Sequence, residues 1–332
     1  VNILVTGGCG FIGSALIRSL AASGHVLRIV DNLSVGSADS LGGGLALVTI
    51  EPLRIQPFQA GTVQLAVTDI ADGEHALAMA TGADAIIHLA ANTGVEPSVL
   101  DPHKDCRQNV IGTLNYLEAA RHAGVKRFVF ASSGAPLGAQ EPPIHERLAP
   151  RPASPYGASK LAGEGYCSAY FQSFGVETVA LRFGNIFGPG SNHKSSIVAK
   201  FTRLALAGQR LEIYGDGEQT RDFIYLDDIV AALTAALDRP GIGGEVFQIA
   251  SGQERNVNEL VRILLPILGE AGIHDVEVVS ASPRIGDSRR SYFETTKARE
   301  RLGWHNRVSL EEGLKRTVSW FVAQARGNLP GA

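Results

Sequence analysis

The chain opens Val1-Asn2-Ile3-Leu4-Val5-Thr6-Gly7-Gly8-Cys9-Gly10-Phe11-Ile12-Gly13, and this stretch decides the fold. Val1 to Val5 is an apolar run that reads as a buried strand. A glycine-rich turn follows, and then the helical pattern Ser14 to Ala22. Strand, glycine turn and helix N-terminus in that order make a cradle for a diphosphate. Glycines let the backbone approach the ligand, and the free N–H groups and positive dipole end of the helix face the anion. Gly8, Gly10 and Gly13 satisfy GxGxxG, while Gly7, Gly10 and Gly13 satisfy GxxGxxG, and spacing alone leaves both open. The next strand-like run, His25 to Val30, ends at Asp31. A carboxylate there accepts hydrogen bonds from both hydroxyls of an adenosine ribose and repels a 2′-phosphate, which favours NAD over NADP.

Outward from this unit the β–α alternation continues. Val63 to Val67, Ala85 to Leu89, Phe128 to Ala131 and Thr178 to Leu181 read as strands. Helical patterns near Glu74 to Ala80, Lys104 to Ala123 and Tyr156 to Phe174 lie between them. The alternation predicts an α/β fold, a doubly wound parallel sheet covered on both faces. Residues 34–62, with Gly42-Gly43-Gly44 inside, read as a loop-rich insertion. After residue 182 the texture changes to a Gly/Pro loop (Gly184 to Ser191), a helix (Ile197 to Ala207), a short strand (Leu211 to Tyr214) and a helical segment near Asn256 to Leu268. The expected division is a dinucleotide-binding domain over 1–182, with 221–250 returning to it, and a smaller mixed α/β lobe over 183–332. That lobe would lie over the C-terminal ends of the strands, where ligands bind in open α/β sheets.

Bulk properties exclude several classes. The 332 residues are 45% hydrophobic, enough for a sizeable core. A net charge of −3 and an isoelectric point near 6.3 leave no basic footprint for nucleic acid. Lys and Arg are dispersed, and no apolar run is long enough to span a bilayer. With Val1 leading straight into the first strand, no signal peptide is expected. Cys9, Cys106 and Cys167 are widely spaced, forming neither a disulfide framework nor a CxxC metal pair. The expectation is a cytoplasmic protein without a metal site.

The chemistry-bearing candidates are Ser133, Tyr156 and Lys160. Spacing i, i+4 puts Tyr156 and Lys160 on one helix face. An ammonium beside a phenol favours the phenolate, so the spacing predicts a lowered Tyr156 pKa and a usable general base. Ser132-Ser133 ends the strand Phe128 to Ala131, where side chains meet the ligand crevice, and a hydroxyl there can pass a proton to Tyr156.

With these residues in place, nearly the whole chain resembles the extended short-chain dehydrogenase/reductases, the Rossmann-type, NAD-dependent nucleotide-sugar epimerases and dehydratases. Thr6 to Gly13 is similar to their TGxxGxxG, which selects Gly7, Gly10 and Gly13, with Phe11 and Ile12 between them. Asp31-Asn32-Leu33-Ser34 resembles the ribose-binding DNLS, with Gly36 just beyond, and Asp69-Ile70 the adenine-contacting pair. His88-Leu89-Ala90-Ala91 resembles HLAA, with Thr93 after it, and Asn109 to Thr113 resembles NVxGT. The resemblance implies NAD contacts at these positions and at Tyr156 and Lys160, and catalysis by Ser133, Tyr156 and Lys160. In the second lobe it implies a UDP-sugar held by Asn185 of LRxxN, Tyr214, Arg221 of the GDGxQxRDF-like run, and Arg284 and Asp287 of RxGD, with Ser98 and Ser133 on the sugar side. Planar guanidinium forks suit phosphate oxygens. The helical patterns at 104–123 and 156–174 resemble those that pair in the family's homodimers.

The reaction implied is NAD-dependent epimerisation at C4 of a UDP-hexose through a transient 4-ketone. Related 4,6-dehydratases carry an Asp-Glu pair after the catalytic hydroxyl residue, and decarboxylases a Glu. Here those positions are Gly134 and Ala135. Pro136-Leu137-Gly138 replaces the usual VYG. The residue gating sugar size aligns with Ser291, and a one-residue slip would make it Tyr292. His193 and Lys194 would suit a sugar carboxylate, as in UDP-glucuronate, or form an exposed basic loop. A non-catalytic dinucleotide sensor on the same fold is separated by the retained Tyr–Lys pair.

Overall fold

The computed structural model describes residues 1–283 and 289–327. Its first part runs β1 (Asn2–Thr6), α1 (Phe11–Ala22), β2 (Val26–Asp31), β3 (Leu47–Ile50), β4 (Val63–Val67), α2 (Gly73–Ala80), β5 (Ala85–His88), α3 (Val95–Leu100), α4 (Pro102–Cys106), α5 (Gly112–Ala123), β6 (Arg127–Ser133), α6 (Pro155–Phe174) and β7 (Glu177–Phe183). The remainder is β8 (Asn185–Phe187), α7 (Ile197–Leu206), β9 (Leu211–Tyr214), β10 (Thr220–Arg221), β11 (Phe223–Tyr225), α8 (Leu226–Asp238), β12 (Glu245–Ile249), β13 (Arg255–Asn256), α9 (Val257–Glu270), β14 (Val278–Ala281) and α10 (Leu310–Ala325).

Eight strands form one sheet in the order β12-β7-β6-β5-β1-β2-β4-β3, every pair parallel. The central strands are apolar on both faces, as a sheet sandwiched between helices requires. One face packs on α1 and α8 through Leu16, Ile17, Ile229 and Leu233. The other packs on α2, α5 and α6 through Met79, Leu117 and Cys167. A separate core joins α7, α9 and α10 to the short strands of the second lobe. This is the Rossmann-type architecture expected from the sequence. The chain builds outward from β1 to β3, then returns to β5 on β1's other side, so a crevice opens beyond the C-terminal ends of β1 and β5. Among the described residues no helix is long and apolar enough to cross a membrane.

Among the elements up to β7, two escaped the sequence reading. The stretch 34–62 holds β3, an edge strand paired with β4. Its two middle residues are exposed, so it lacks the continuous apolar run that marks the other strands. The rest of the insertion is held by Arg28, fully buried on β2. Its guanidinium donates to Gln64 Oε1 (2.9 Å), Met79 O (2.8 Å) and Gln56 O (2.5 Å) and lies 4.1 Å from the Phe58 ring centroid. Helix α3 was hidden by Pro97. The proline sits in the first turn, where a missing N–H costs no helical bond.

Candidate functional site

The glycine turn is built for close approach. Gly7 adopts φ +71°, and a Cβ there would lie 2.7 Å from Ala90 N, so β1's turn abuts the residues after β5. A Cβ on Gly13 would lie 2.1 Å from Gly7 O. Gly10 precedes α1 without a side-chain cap, and the N–H groups of Phe11, Ile12 and Gly13 have no carbonyl partner within the helix. The cradle therefore fits a diphosphate and would be filled by any side chain at Gly13. Gly13→Ala is expected to cost about 1–3 kcal/mol of stability through overpacking and to strip the bound dinucleotide, as read by thermal unfolding and by the cofactor content of the purified protein.

Asp31 closes one end of the cradle. Its Oδ2 accepts from Cys9 N and its Oδ1 from Leu33 N, both at 2.9 Å, which aims the carboxylate at the turn. Burial raises its pKa, and these two N–H donors oppose that shift. Ser34 donates to Asn32 Oδ1 (2.7 Å), and Asn32 Nδ2 to Asp69 Oδ2 (3.1 Å). Burial would raise the Asp69 pKa, but donors from Ala71 N, Gln108 and Asn32 outweigh it and bring the carboxyl down. Ile70 is buried beside it against Gly112. Gly36 packs on the Cys9 carbonyl, to which Ser40 Oγ donates (2.7 Å). Leu89, Ala90 and Ala91 line the exit of β5, and Thr93 is exposed in the following loop. Asn109 lies in a π-helical turn, Arg107–Ile111, joining α4 to α5. Such turns often redirect a side chain into a site, and here Asn109 Oδ1 accepts from Asn92 N at 2.7 Å.

Ser133 is the last residue of β6, while Tyr156 and Lys160 lie in the first turns of α6. Ser154 caps that helix by accepting from Gly157 N (3.1 Å), and Pro155 takes its first position. The Tyr156 hydroxyl is hydrogen-bonded to Ser133. Lys160 Nζ donates to Ala131 O (2.8 Å) and lies 6.0 Å from the Tyr156 ring centroid. The expectation of a lowered phenol pKa is reversed in the free chain. Burial pushes Tyr156 up to about 12, the Ser133 bond pulls it down, and Asp105 pushes it up. Burial brings Lys160 down to about 8 against the charges of Asp105 and Glu164. Below the site, Arg182 on β7 grips Glu164 on α6 at 2.8 and 2.7 Å, and Ser132 Oγ donates to the same carboxylate at 2.5 Å.

In the second lobe, Asn185, Tyr214 and Arg221 line one cavity of about 170 Å³ together with Lys200, Glu212 and Gln219. Lys200 was not singled out by sequence reasoning. Its Nζ is 3.3 Å from the Tyr214 hydroxyl. Ser98 is fully enclosed and donates to Val95 O at 2.7 Å, so its hydroxyl serves its own helix. Arg284 and Asp287 lie outside the described residues. Ser291 N donates to Thr220 Oγ1 (3.2 Å). Two residues on, Phe293 bridges to Ile144, and a Cβ on Gly134 would lie 2.6 Å from its ring. His193 is exposed. Lys194 is half-buried, with Nζ 6.0 Å from the Phe11 ring centroid.

Two carboxylates escaped the sequence reading. Asp222, within the run compared with RDF, accepts from Ser251 N (2.7 Å), Gly252 N (3.0 Å) and Phe293 N (3.2 Å), joining three segments beside the site. Asp105, on α4, is buried next to Asn109. Its only signal was its place four residues before Asn109, one helical turn away.

Residues 3–250 match the model of the NAD dependent epimerase/dehydratase family. The chain is 37% identical over 326 residues to a UDP-glucose 4-epimerase of Mycolicibacterium smegmatis, covering 97% of this chain and 98% of that one. It is similar to the crystal structure of a Thermotoga maritima UDP-glucose 4-epimerase with UDP-glucose, with a TM-score of 0.87, 36% identity, and 98% and 100% of the two chains covered. It is also similar to a Thermus thermophilus UDP-glucose 4-epimerase complex with NAD, with a TM-score of 0.83, 32% identity, and 97% and 99% covered.

Proposed function

The chain belongs to the NAD dependent epimerase/dehydratase family, and from that premise we propose that it interconverts a UDP-hexose with its C4 epimer. NAD, the family's cofactor, has its fit in the Gly7–Gly13 cradle and at Asp31, and when bound it takes up and returns the hydride of C4. The protein's own part is proton handling. Tyr156 removes the 4-hydroxyl proton, Ser133 holds that oxygen and relays the proton, and Lys160 supplies the positive charge that favours the phenolate. The same groups return the proton after the keto-sugar has turned over, so no further acid or base is required.

One observation carries the choice of epimerisation over dehydration. Dehydration needs a proton donor beside the catalytic hydroxyl. Here the Phe293 ring occupies the space a side chain at position 134 would take, and position 135 is Ala. Neither of these two positions carries a carboxylate for C5 and C6 chemistry. The test follows sugar signals by NMR in mixtures with UDP-glucose, UDP-N-acetylglucosamine and UDP-glucuronate. C4 epimers are expected. A 4-keto-6-deoxy product would replace this reading with dehydration, and carbon dioxide release would replace it with decarboxylation.

Ser291 lies two residues before Phe293, whose ring covers Gly134; an extended chain alternates its faces, which would place Ser291 on that side and Tyr292 on the other. This supports Ser291 as the gate and leaves room for an N-acetyl group. Ser291→Tyr is expected to lower kcat/KM for UDP-N-acetylglucosamine about 10–200-fold and to spare UDP-glucose. Equal losses on both sugars would remove the gate. A second reading, UDP-glucuronate as substrate, draws on Lys194, whose ammonium has no carboxylate partner among the described residues. The NMR panel separates the two.

The exposed apolar residues Ile111, Tyr166 and Phe174 on the 102–123 and α6 helices support a homodimer. Light scattering of the NAD-loaded protein would give its mass.

A further inference from the structure

Asp105 is 1% exposed, yet only half of its carboxylate is engaged. Oδ1 accepts from Asn109 Nδ2 at 3.0 Å and from Asn92 Nδ2 at 3.3 Å. Oδ2 is buried and has no hydrogen-bond partner among the described residues. A buried charge without a cation is costly, and each orphaned oxygen in a native interior calls for a reason. The surroundings supply one. Asn109 Nδ2 also reaches Ser159 Oγ at 3.0 Å, and Ser159 donates to Tyr156 O at 3.0 Å. Asp105 is therefore two side chains from the turn of α6 that carries Tyr156 and Lys160.

Lys160 in turn has no direct counter-ion among the described residues. Its Nζ has the Ala131 carbonyl at 2.8 Å and the Phe130 ring centroid at 4.8 Å. The charged and titratable groups around it are Asp105 on α4, Tyr156, Glu164 and Cys167 on α6, and His88 on β5. Both oxygens of Glu164 are taken by Arg182, which largely cancels its charge. His88 stays neutral, because burial and then the Lys160 charge bring it down to about 3. Cys167 stays a thiol, because burial raises it. Asp105 is the one carboxylate near Lys160 that is paired with no cation among the described residues.

We propose that Asp105 is a positioning residue, the buried counter-charge that keeps Lys160 an ammonium and that, through Asn109 and Ser159, orients the Tyr156 turn. It is separate from the groups that touch substrate. It acts on them in one direction: removing its charge disfavours the ammonium and favours the phenolate, so both proton affinities fall together.

The assay rests on the epimerase reading, so the test has a second arm that needs no turnover. In Asp105→Asn, both limbs of the pH profile of kcat/KM are expected to move to lower pH by about 1 unit, with Asp105→Glu keeping the parent profile. In the NAD-loaded protein, the phenolate absorbance of Tyr156, isolated by subtracting the Tyr156→Phe spectrum, is expected to appear at lower pH in Asp105→Asn than in the parent. If the Asn variant does not fold, the smaller neutral Asp105→Ser reads the same shift. Reduced kcat or a lower thermal midpoint with both limbs and the phenolate onset unmoved would make Asp105 a structural cap and overturn the proposal. A displaced phenolate onset in a protein that epimerises no sugar would keep Asp105's role and remove the epimerase reading instead.

Discussion

Tyr156→Phe is expected to lower turnover about 10²–10⁴-fold, the range general acid–base groups supply, while the NAD content and thermal midpoint stay near the parent's. The phenol is half-buried, and its hydrogen bond with Ser133 leads toward the end of β6. Losing the hydroxyl removes one polar contact and leaves the ring's packing intact. The demand on this group is large. With its pKa pushed up to about 12 in the free chain, proton removal at neutral pH depends on added positive charge. Lys160 gives that charge only below its own pKa of about 8, so kcat/KM is expected to fall as pH rises through that value. Turnover by Tyr156→Phe equal to the parent's, measured by NMR, would exclude Tyr156 as the base.

The second large effect concerns stability. Arg182→Met is expected to destabilise the fold by about 3–5 kcal/mol, the cost of leaving one member of a buried pair uncompensated. Glu164 and Arg182 are each 5% exposed in their side chains, and the bidentate pair links α6 to β7. With Arg182 gone, Glu164 retains only Ser132 as a donor among the described residues. Replacing both partners, Glu164→Leu with Arg182→Met, is expected to recover much of the loss, because the desolvation of two charges disappears with them. The drop in thermal midpoint of the single variant, against that of the double, measures the effect. Equal midpoints would show that the pair's charge is immaterial.

What was legible in the sequence was local. The turn at Gly7–Gly13, the acid ending β2 and the Tyr156–Lys160 spacing each lie within one strand–turn–helix unit, where a few residues set both conformation and chemistry. What escaped was made by distant chain. Asp105 gains its meaning only when α4 meets α6, and Phe293 only when it covers Gly134. Asp222 matters because Ser251, Gly252 and Phe293 converge on it. Even the sign of the Tyr156 shift was misjudged from spacing, since proximity to a lysine is visible in a sequence and burial is not. The weak edge strand β3 and the proline-bearing α3 fell to the same limit, lacking a regular period.

The strand order carries a consequence for how the protein is made. β12 covers the outer edge of β7, yet its residues, Glu245–Ile249, emerge roughly sixty positions after β7 ends. At synthesis rates of about 5–20 residues per second, that edge waits about 3–12 seconds for its neighbour while the α7 and β9 segments appear. During the wait an apolar strand shows unpaired backbone to other nascent chains. That exposure falls before the sheet is complete, so chaperone dependence is expected to show in truncations ending between β7 and β12.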